Sequence, residues 1–190
     1  LYSVKKIHLI GIGGIGMSGI AELLKNKEFS ISGSDIVDSP IVERLINLGI
    51  NVSIGHNKEN ISDAELVIYS DAIPENNVEL IEAYSKNILV YSRAKMISEI
   101  AKLNNSTVAI AGTHGKTTTT SMVGTILKSM NLDPTIIVGG VIKSLESNSI
   151  LGAGDTLVVE ADEYNKSLLH LSPTIAVINN IDFEHIECYK

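Results

Sequence analysis

The run Gly112-Thr-His-Gly-Lys-Thr-Thr-Thr-Thr120 places one lysine and four consecutive hydroxyls directly behind two glycines. Those residue types at that spacing suit a triphosphate. Small residues let backbone N–H groups crowd anionic oxygens, and a helix beginning there adds positive potential. Lys116 has the reach for β- and γ-phosphates, and the Thr117 hydroxyl is a hard oxygen ligand for Mg²⁺. Gly112, Thr113, His114, Gly115 and Thr118 complete the loop, with His114 read either as a phosphate contact or as packing. The pattern is a variant, because the strict phosphate loop has a glycine five residues before Gly115 and Ile110 stands there. Threonines are poor helix formers, so local propensity alone does not ask for four of them here. The loop fits ATP and Mg²⁺.

A second glycine run, Gly11-Ile-Gly-Gly-Ile-Gly16, satisfies G-x-G-x-x-G through Gly11, Gly13 and Gly16. It lies between a strand and a helix, the context in which such a turn approaches a nucleotide diphosphate. Asp35 follows Gly11 by 24 residues, near the offset at which an acid meets a ribose hydroxyl. The alternative is a tight turn with a capping aspartate downstream. Acids and a histidine also gather after two apolar runs. Leu157-Val-Val159 leads into Glu160-Ala-Asp-Glu163, and Ile175–Ile178 leads to Asn180, Asp182 and His185. Open α/β sheets place their ligands at such strand ends.

The elements that must hold these residues follow from periodicity. Strands are expected at Lys6–Ile10, Phe29–Ser32, Asn51–Ile54, Leu66–Ser70 and Ile88–Tyr91, then at Thr107–Ala111, Thr135–Gly140, Asp155–Asp162 and Thr174–Ile181. Between them, Met17, Ile20, Ala21 and Leu24 fall on one helical face. Ser39-Pro40 starts a helix that buries Ile41, Leu45 and Leu48 and stops at Gly49. Further helices are expected at Asn77–Lys86 and Arg93–Lys102, and one after Gly115 carries Met122, Val123, Ile126, Leu127 and Met130. Alternating strands and helices imply parallel sheets covered on both faces. The fold class is α/β: a Rossmann-like domain over residues 1–105, then an incomplete phosphate-loop ATPase domain over residues 106–190, divided at Asn104-Asn-Ser106.

Composition sets the outer limits. The 190 residues are 44% hydrophobic, with a mean hydropathy of +0.21, enough to build a core. A net charge of −7 argues against nucleic acid and against an acidic membrane surface, so any anion must be held by local donors. The single Cys188 cannot form an internal disulfide and fits a reducing cytoplasm. No apolar run spans a bilayer, and the glycines and His8 interrupt what Lys5-Lys6 would otherwise introduce as a signal peptide. Leu1 in place of methionine hints at trimming.

Five motifs then occur in order: Gly11–Gly19, Tyr69-Ser-Asp-Ala-Ile73, Gly112–Thr120, Glu160–Glu163 and Asn180-Ile-Asp-Phe-Glu-His185. Together, over about Lys6–Lys190, they resemble the Mur ligases, and within that family the enzymes that add L-alanine. Departures are Asp71 for a usual serine, Asn179 for a usual threonine, and Glu184 and Glu187 for usual aspartates. The resemblance implies a UDP-binding domain and the first half of a central ATPase domain. It implies a reaction joining L-alanine to the lactyl carboxylate of UDP-N-acetylmuramate through an acyl phosphate, with ATP cleaved. Gly11, Gly13, Gly14, Ile15, Gly16 and Ser18 would then face the UDP-sugar diphosphate. Ser34 and Asp35 would contact ribose or uracil, Ser70, Ala72 and Ile73 would border the uracil, and Asn180 would touch substrate. Lys116, Glu160 and His185 are the implied catalytic residues. Thr117 and Glu160 would hold the nucleotide magnesium and His185 a second metal. No obligatory protein partner is implied. Another amide ligase of the same family and an NAD-dependent oxidoreductase remain as alternatives. A chain ending soon after His185 is expected to bind its ligands without forming the amide, since ligation needs the amine held against an activated carbonyl with water shut out.

Overall fold

The structure, a computed structural model, describes residues 4–142, 147–161 and 169–183. They divide into two compact units, Leu1–Met96 and Ile97–Lys190, each built on its own five-stranded sheet.

The first sheet contains β1 (Lys6–Ile10), β2 (Ser30–Asp35), β3 (Asn51–Ile54), β4 (Leu66–Tyr69) and β5 (Leu89–Ser92) in the order β3-β2-β1-β4-β5. All its pairings are parallel. β1 is central, and its Ile7, Leu9 and Ile10 are fully enclosed, as expected for a strand covered on both faces. Helix α1 (Ile15–Asn26) buries Met17, Ile20, Ala21 and Leu24, the face that the spacing predicts. Helix α2 (Pro40–Asn47) starts as read, with Ser39 Oγ accepting from Val42 N and proline in the first turn. Its buried face is Val42 and Leu45 rather than Ile41, Leu45 and Leu48, and Leu48 is half exposed. The helix ends before completing the turn that would have brought Leu48 inward. Helix α3 (Val78–Ser85) is capped by Asn77, whose side chain accepts from Glu79 N and Leu80 N. β2 runs three residues beyond the expected Ser32, so Ser34 and Asp35 end a strand instead of opening a loop.

Helix α4 (Arg93–Ala101) contains the division between the units. The second sheet contains β6 (Ser106–Ala111), β7 (Thr135–Ile142), β8 (Ser147–Ile150), β9 (Thr156–Glu160) and β10 (Ile175–Ile178) in the order β10-β6-β9-β7-β8. β8 is missing from the sequence reading and pairs antiparallel to β7, so this sheet is mixed. Its Ser-Asn-Ser-Ile sequence carries no strand signature. β10 pairs β6 alone among the described strands. Helix α5 (Lys116–Ser129) covers one face, setting Val123 and Leu127 against Val108, Ile110, Ile136, Val138 and Val158. Met122, Ile126 and Met130 face outward, so only part of the apolar set on this helix belongs to the core. Burial of Val123 and Leu127 is worth about 1.5–3 kcal/mol each when complete.

Gly33 of β2 sits where a Cβ would lie 2.8 Å from Leu9 O and 2.8 Å from Ile12 Cβ. Alanine in a strand ordinarily gains about 0.5–1 kcal/mol over glycine, but here the obstruction includes backbone, and overpacking costs about 1–3 kcal/mol. Gly33→Ala is therefore expected to be destabilising, lowering the urea midpoint of the first unit with an unchanged m value. A raised midpoint would show that the two strands separate freely.

Candidate functional site

In the second unit the phosphate-loop residues link the end of β6 to α5. Gly112 (φ 137°) and Gly115 (φ 78°) both occupy the left-handed half of backbone space, where a side chain is strained. Gly112 is also pressed against β10's exit, since a Cβ there would stand 3.0 Å from Asn179 Cβ. Gly112 thus supplies the flexibility that Ile110, enclosed in β6, does not.

The loop is pinned from the neighbouring strand. Asn180 Oδ1 accepts from His114 N at 2.8 Å, and its Nδ2 donates to His114 O at 3.2 Å. Asn179 Nδ2 donates to Thr119 Oγ1 at 3.1 Å, and Asp182 N donates to Thr113 Oγ1 at 2.9 Å. Asn180 therefore braces the loop backbone at both polar groups of one residue, the N–H and C=O of His114. His114 itself is exposed, with Nε2 3.9 Å from Asp182 Oδ2.

Lys116 folds back along the loop and donates to Gly112 O at 2.6 Å and Thr113 O at 3.2 Å. Among the threonines that propensity disfavours, Thr120 sits inside α5 with its hydroxyl bonded to the preceding turn. Thr120 Oγ1 reaches Lys116 O at 2.8 Å, the usual way such residues are accommodated in helices. Thr118 belongs to the same first turn.

Thr117 Oγ1 donates to Glu160 Oε2 at 3.0 Å. Adjacent oxygen ligands on an octahedral Mg²⁺ stand about 2.9 Å apart, so this donor pair fits a hard cation. Among the described residues no three His, Cys, Asp or Glu side chains converge on a metal. His185, with Glu184 and Glu163, lies outside the described residues.

In the first unit the glycine loop joins β1 to α1. Gly11 N and Ile12 N donate to Ser34 O at 2.8 and 3.0 Å, and Gly13 N donates to Asp35 Oδ2 at 2.8 Å. Gly14 N returns to Gly11 O at 3.1 Å. The Asp35 carboxylate also accepts from Val37 N, so it anchors the loop. Ser18 is buried and donates to Ile15 O. The amides of Ile15 and Gly16, the first two of α1, have no acceptor among the described residues. Ser70 and Ile73 abut Gly11, each 3.3 Å from where its Cβ would be, and Ala72 N reaches Ser70 Oγ. The expected uracil-bordering turn and the glycine loop are thus brought together.

Two residues absent from the sequence reading belong beside this loop. Arg93 lies at the end of β5 with Nη1 3.0 Å from the Cβ position of Gly16, and its Nε is 3.8 Å from Asp71 Oδ2. The rule that ligands sit at the carboxyl ends of parallel strands could have found it. Glu79 is completely buried and collects Ser34 Oγ (2.6 Å), Asn60 Nδ2 (2.6 Å), Asn57 N (3.3 Å) and His56 Nδ1 (3.1 Å). His8 Nε2 faces it at 3.9 Å, too far for a hydrogen bond, while His8 Nδ1 meets Ser32 Oγ at 2.9 Å. An acid beside Leu80 and Ala83 on the inward face of α3 is the signal, since acids are almost never enclosed without partners. Burial pushes the Glu79 carboxyl up, but the His8 ring and the hydrogen bonds from Ser34 and Asn60 outweigh it and hold it at about 2.

Both units match one family of known proteins. Residues 6–105 match the Mur ligase family catalytic domain and residues 110–190 the Mur ligase middle domain. A UDP-N-acetylmuramate–L-alanine ligase of Sulfurihydrogenibium sp. (strain YO3AOP1) is 52% identical over 187 residues, covering 98% of this chain and 41% of the relative. The solved UDP-N-acetylmuramate-alanine ligase of Thermotoga maritima superposes with a TM-score of 0.86 at 34% identity, over 97% of this chain and 43% of that one. The UDP-N-acetylmuramate:L-alanyl-gamma-D-glutamyl-meso-diaminopimelate ligase of Neisseria meningitides gives 0.85 at 28% identity, over 99% and 64%. The chain thus spans about two fifths of the length of its curated relative.

The Glu79 environment predicts a pH dependence. Its carboxyl is lowered from 4.5 to about 2 by folding, so the stabilisation is complete above pH 4.5 and is lost as pH falls towards 2. The stability gap between the unsubstituted chain and Glu79→Gln, measured by urea unfolding at a series of pH values, is expected to narrow across that window. A gap that stays constant from pH 6 to about 2.5 would mean that Glu79 is not held ionised.

Proposed function

Because the chain belongs to the Mur ligase family, we propose that it is the UDP-sugar- and ATP-binding part of a cytoplasmic ligase that joins L-alanine to the lactyl carboxylate of UDP-N-acetylmuramate. The observation that carries this reading is the Gly112–Thr117 loop, with Lys116 lying along it and Thr117 paired to Glu160. The likeness to L-alanine ligases across almost the whole chain supports the same substrate pair over other members of the family. A nicotinamide dehydrogenase would leave that loop without a role. Asp35, tied to Gly13 N and Val37 N, also presents less to an NAD ribose than the glycine fingerprint suggests. No helix among the described residues is long and apolar enough to cross a membrane, consistent with a soluble substrate.

The chemistry follows from the poor electrophilicity of a carboxylate. Moving the γ-phosphoryl group onto the lactyl carboxylate gives an acyl phosphate, and the alanine amine then displaces phosphate to form the amide. Carboxylate and triphosphate repel as they approach, by about 4 kcal/mol for two unit charges in close contact at an effective dielectric near 20. The Lys116 ammonium opposes that repulsion, and the loop amides hold the phosphate oxygens in line. Thr117 and Glu160 are the residues that would hold Mg²⁺, which when bound neutralises phosphate charge. Glu160 also orients the Thr117 hydroxyl by accepting its hydrogen bond at Oε2. Asn180 keeps the His114 peptide fixed so that the loop amides stay aimed.

Calorimetric titration separates this reading from its rival: UDP-N-acetylmuramate is expected to bind and NADH is not. Micromolar binding of NADH with none of the UDP-sugar would overturn it. Charge-assisted hydrogen bonds contribute about 1.5–3 kcal/mol each, so Lys116→Ala is expected to weaken ATP about tenfold or more without unfolding the chain. Glu160→Gln should weaken only Mg²⁺-dependent nucleotide binding. Unchanged ATP affinity in Lys116→Ala, with its Mg²⁺ dependence intact, would remove the assigned role.

A further inference from the structure

We infer that Glu79 is a positioning residue for the diphosphate subsite of the first unit. It holds Ser34 so that the amides of Gly11, Ile12 and Gly13 stay occupied and, with Gly14 N turned back to Gly11 O, those of Ile15 and Gly16 are the loop amides left to a ligand among the described residues. This rests on the reading that the glycine loop receives a UDP-sugar.

The chain of contacts is continuous. Glu79 Oε2 takes the Ser34 hydroxyl at 2.6 Å, and the Ser34 carbonyl takes Gly11 N and Ile12 N. The next residue, Asp35, takes Gly13 N. Three successive amides that a dinucleotide turn could aim at phosphate are thereby committed to the end of β2. The amides left to face a ligand begin one turn later, at the start of α1, where the Arg93 guanidinium approaches Gly16. A strand end carries such a pattern only if it is itself immobile, and the Ser34 side chain has no exposed surface to be held from elsewhere. Glu79 supplies the tether from α3, and its second oxygen is fixed by Asn60 and Asn57 N. His56 closes the same oxygen, 3.1 Å from both Glu79 Oε2 and Ser34 Oγ. An ionised carboxylate enclosed this fully is expensive, and packing alone would be served as well by leucine. What the acid adds is a fixed acceptor behind the loop.

The test uses the 190-residue chain, isotopically labelled, with Glu79→Ala and Glu79→Gln. Amide exchange is followed by NMR at Gly11, Ile12 and Gly13, with Ile7 and Leu9 of β1 as internal references, and UDP and uridine are titrated separately. In Glu79→Ala the three loop amides are expected to exchange about tenfold faster relative to the β1 references. UDP affinity should fall about tenfold while uridine affinity stays within about twofold. Glu79→Gln keeps an acceptor for Asn60 and sets an Nε2 donor against Ser34 Oγ, so the tether survives with its direction reversed and UDP affinity should fall less than in Glu79→Ala. Equal losses for UDP and uridine, or faster exchange spread evenly over β1 and the loop, would reduce Glu79 to a stability residue and overturn the inference. Should Glu79→Ala not fold, Ser34→Ala is read in the same way, because it removes the hydroxyl tether and keeps the carbonyl. If the unsubstituted chain takes NADH and not UDP, the functional reading fails, and the exchange pattern alone then decides whether Glu79 positions the loop.

Discussion

Hydrogen bonds between a glycine loop and the end of the neighbouring parallel strand underlie both halves of this chain. A parallel sheet delivers all its strand ends to one edge, so the turn leaving one strand always lies beside the end of the next. Here that geometry is used twice with different chemistry. In the first unit a carbonyl and a carboxylate, Ser34 O and Asp35 Oδ2, take the loop amides. In the second, two carboxamides at Asn179 and Asn180 hold the loop, donating and accepting in turn. Carboxylates would repel a triphosphate, and carboxamides do not. Both loops are read as anion sites, and in the first the carboxylate oxygens are taken up by Gly13 N and Val37 N.

Local donors have to do this work because the chain as a whole is acidic. With a net charge of −7, the overall field opposes anionic ligands. Each loop compensates at short range, with Lys116 in one and Arg93 in the other. Arg93 is itself restrained by Asp71 at 3.8 Å, the position at which the sequence departs from the family's usual serine.

Much of this was legible in the residues. The strand–glycine–helix rhythm located both sheets, because apolar runs and glycine turns are local signals. The Met17–Leu24 face of α1 and the Ser39 cap followed from period and side-chain type. What escaped depended on contacts between distant segments. β8 is a strand only because β7 offers it a ladder. Met122, Ile126 and Met130 share the spacing of core residues and differ only in where the sheet lies. Asp35 has the offset of a ribose ligand, and that its carboxylate also accepts from Gly13 N and Val37 N was not legible in the offset. For Glu79 the place on the inward face of α3 was legible but its partners were not, since they come from β2 and from the 3-10 turn at Lys58–Ile61 and the residues preceding it, over 19 residues or more. His185 was read from its motif and lies outside the described residues.

The posture of Lys116 has a consequence for how an anion meets this loop. Its ammonium already donates to Gly112 O and Thr113 O, so the rotamer entropy of a long side chain, up to about 2 kcal/mol, is spent when the protein folds. A nucleotide arriving at this loop meets an aligned cation but must compete with two carbonyls for its protons. When the nucleotide departs, those carbonyls are waiting to receive the ammonium again. An anion at this loop therefore meets an ammonium that is already ordered instead of a side chain it must first immobilise.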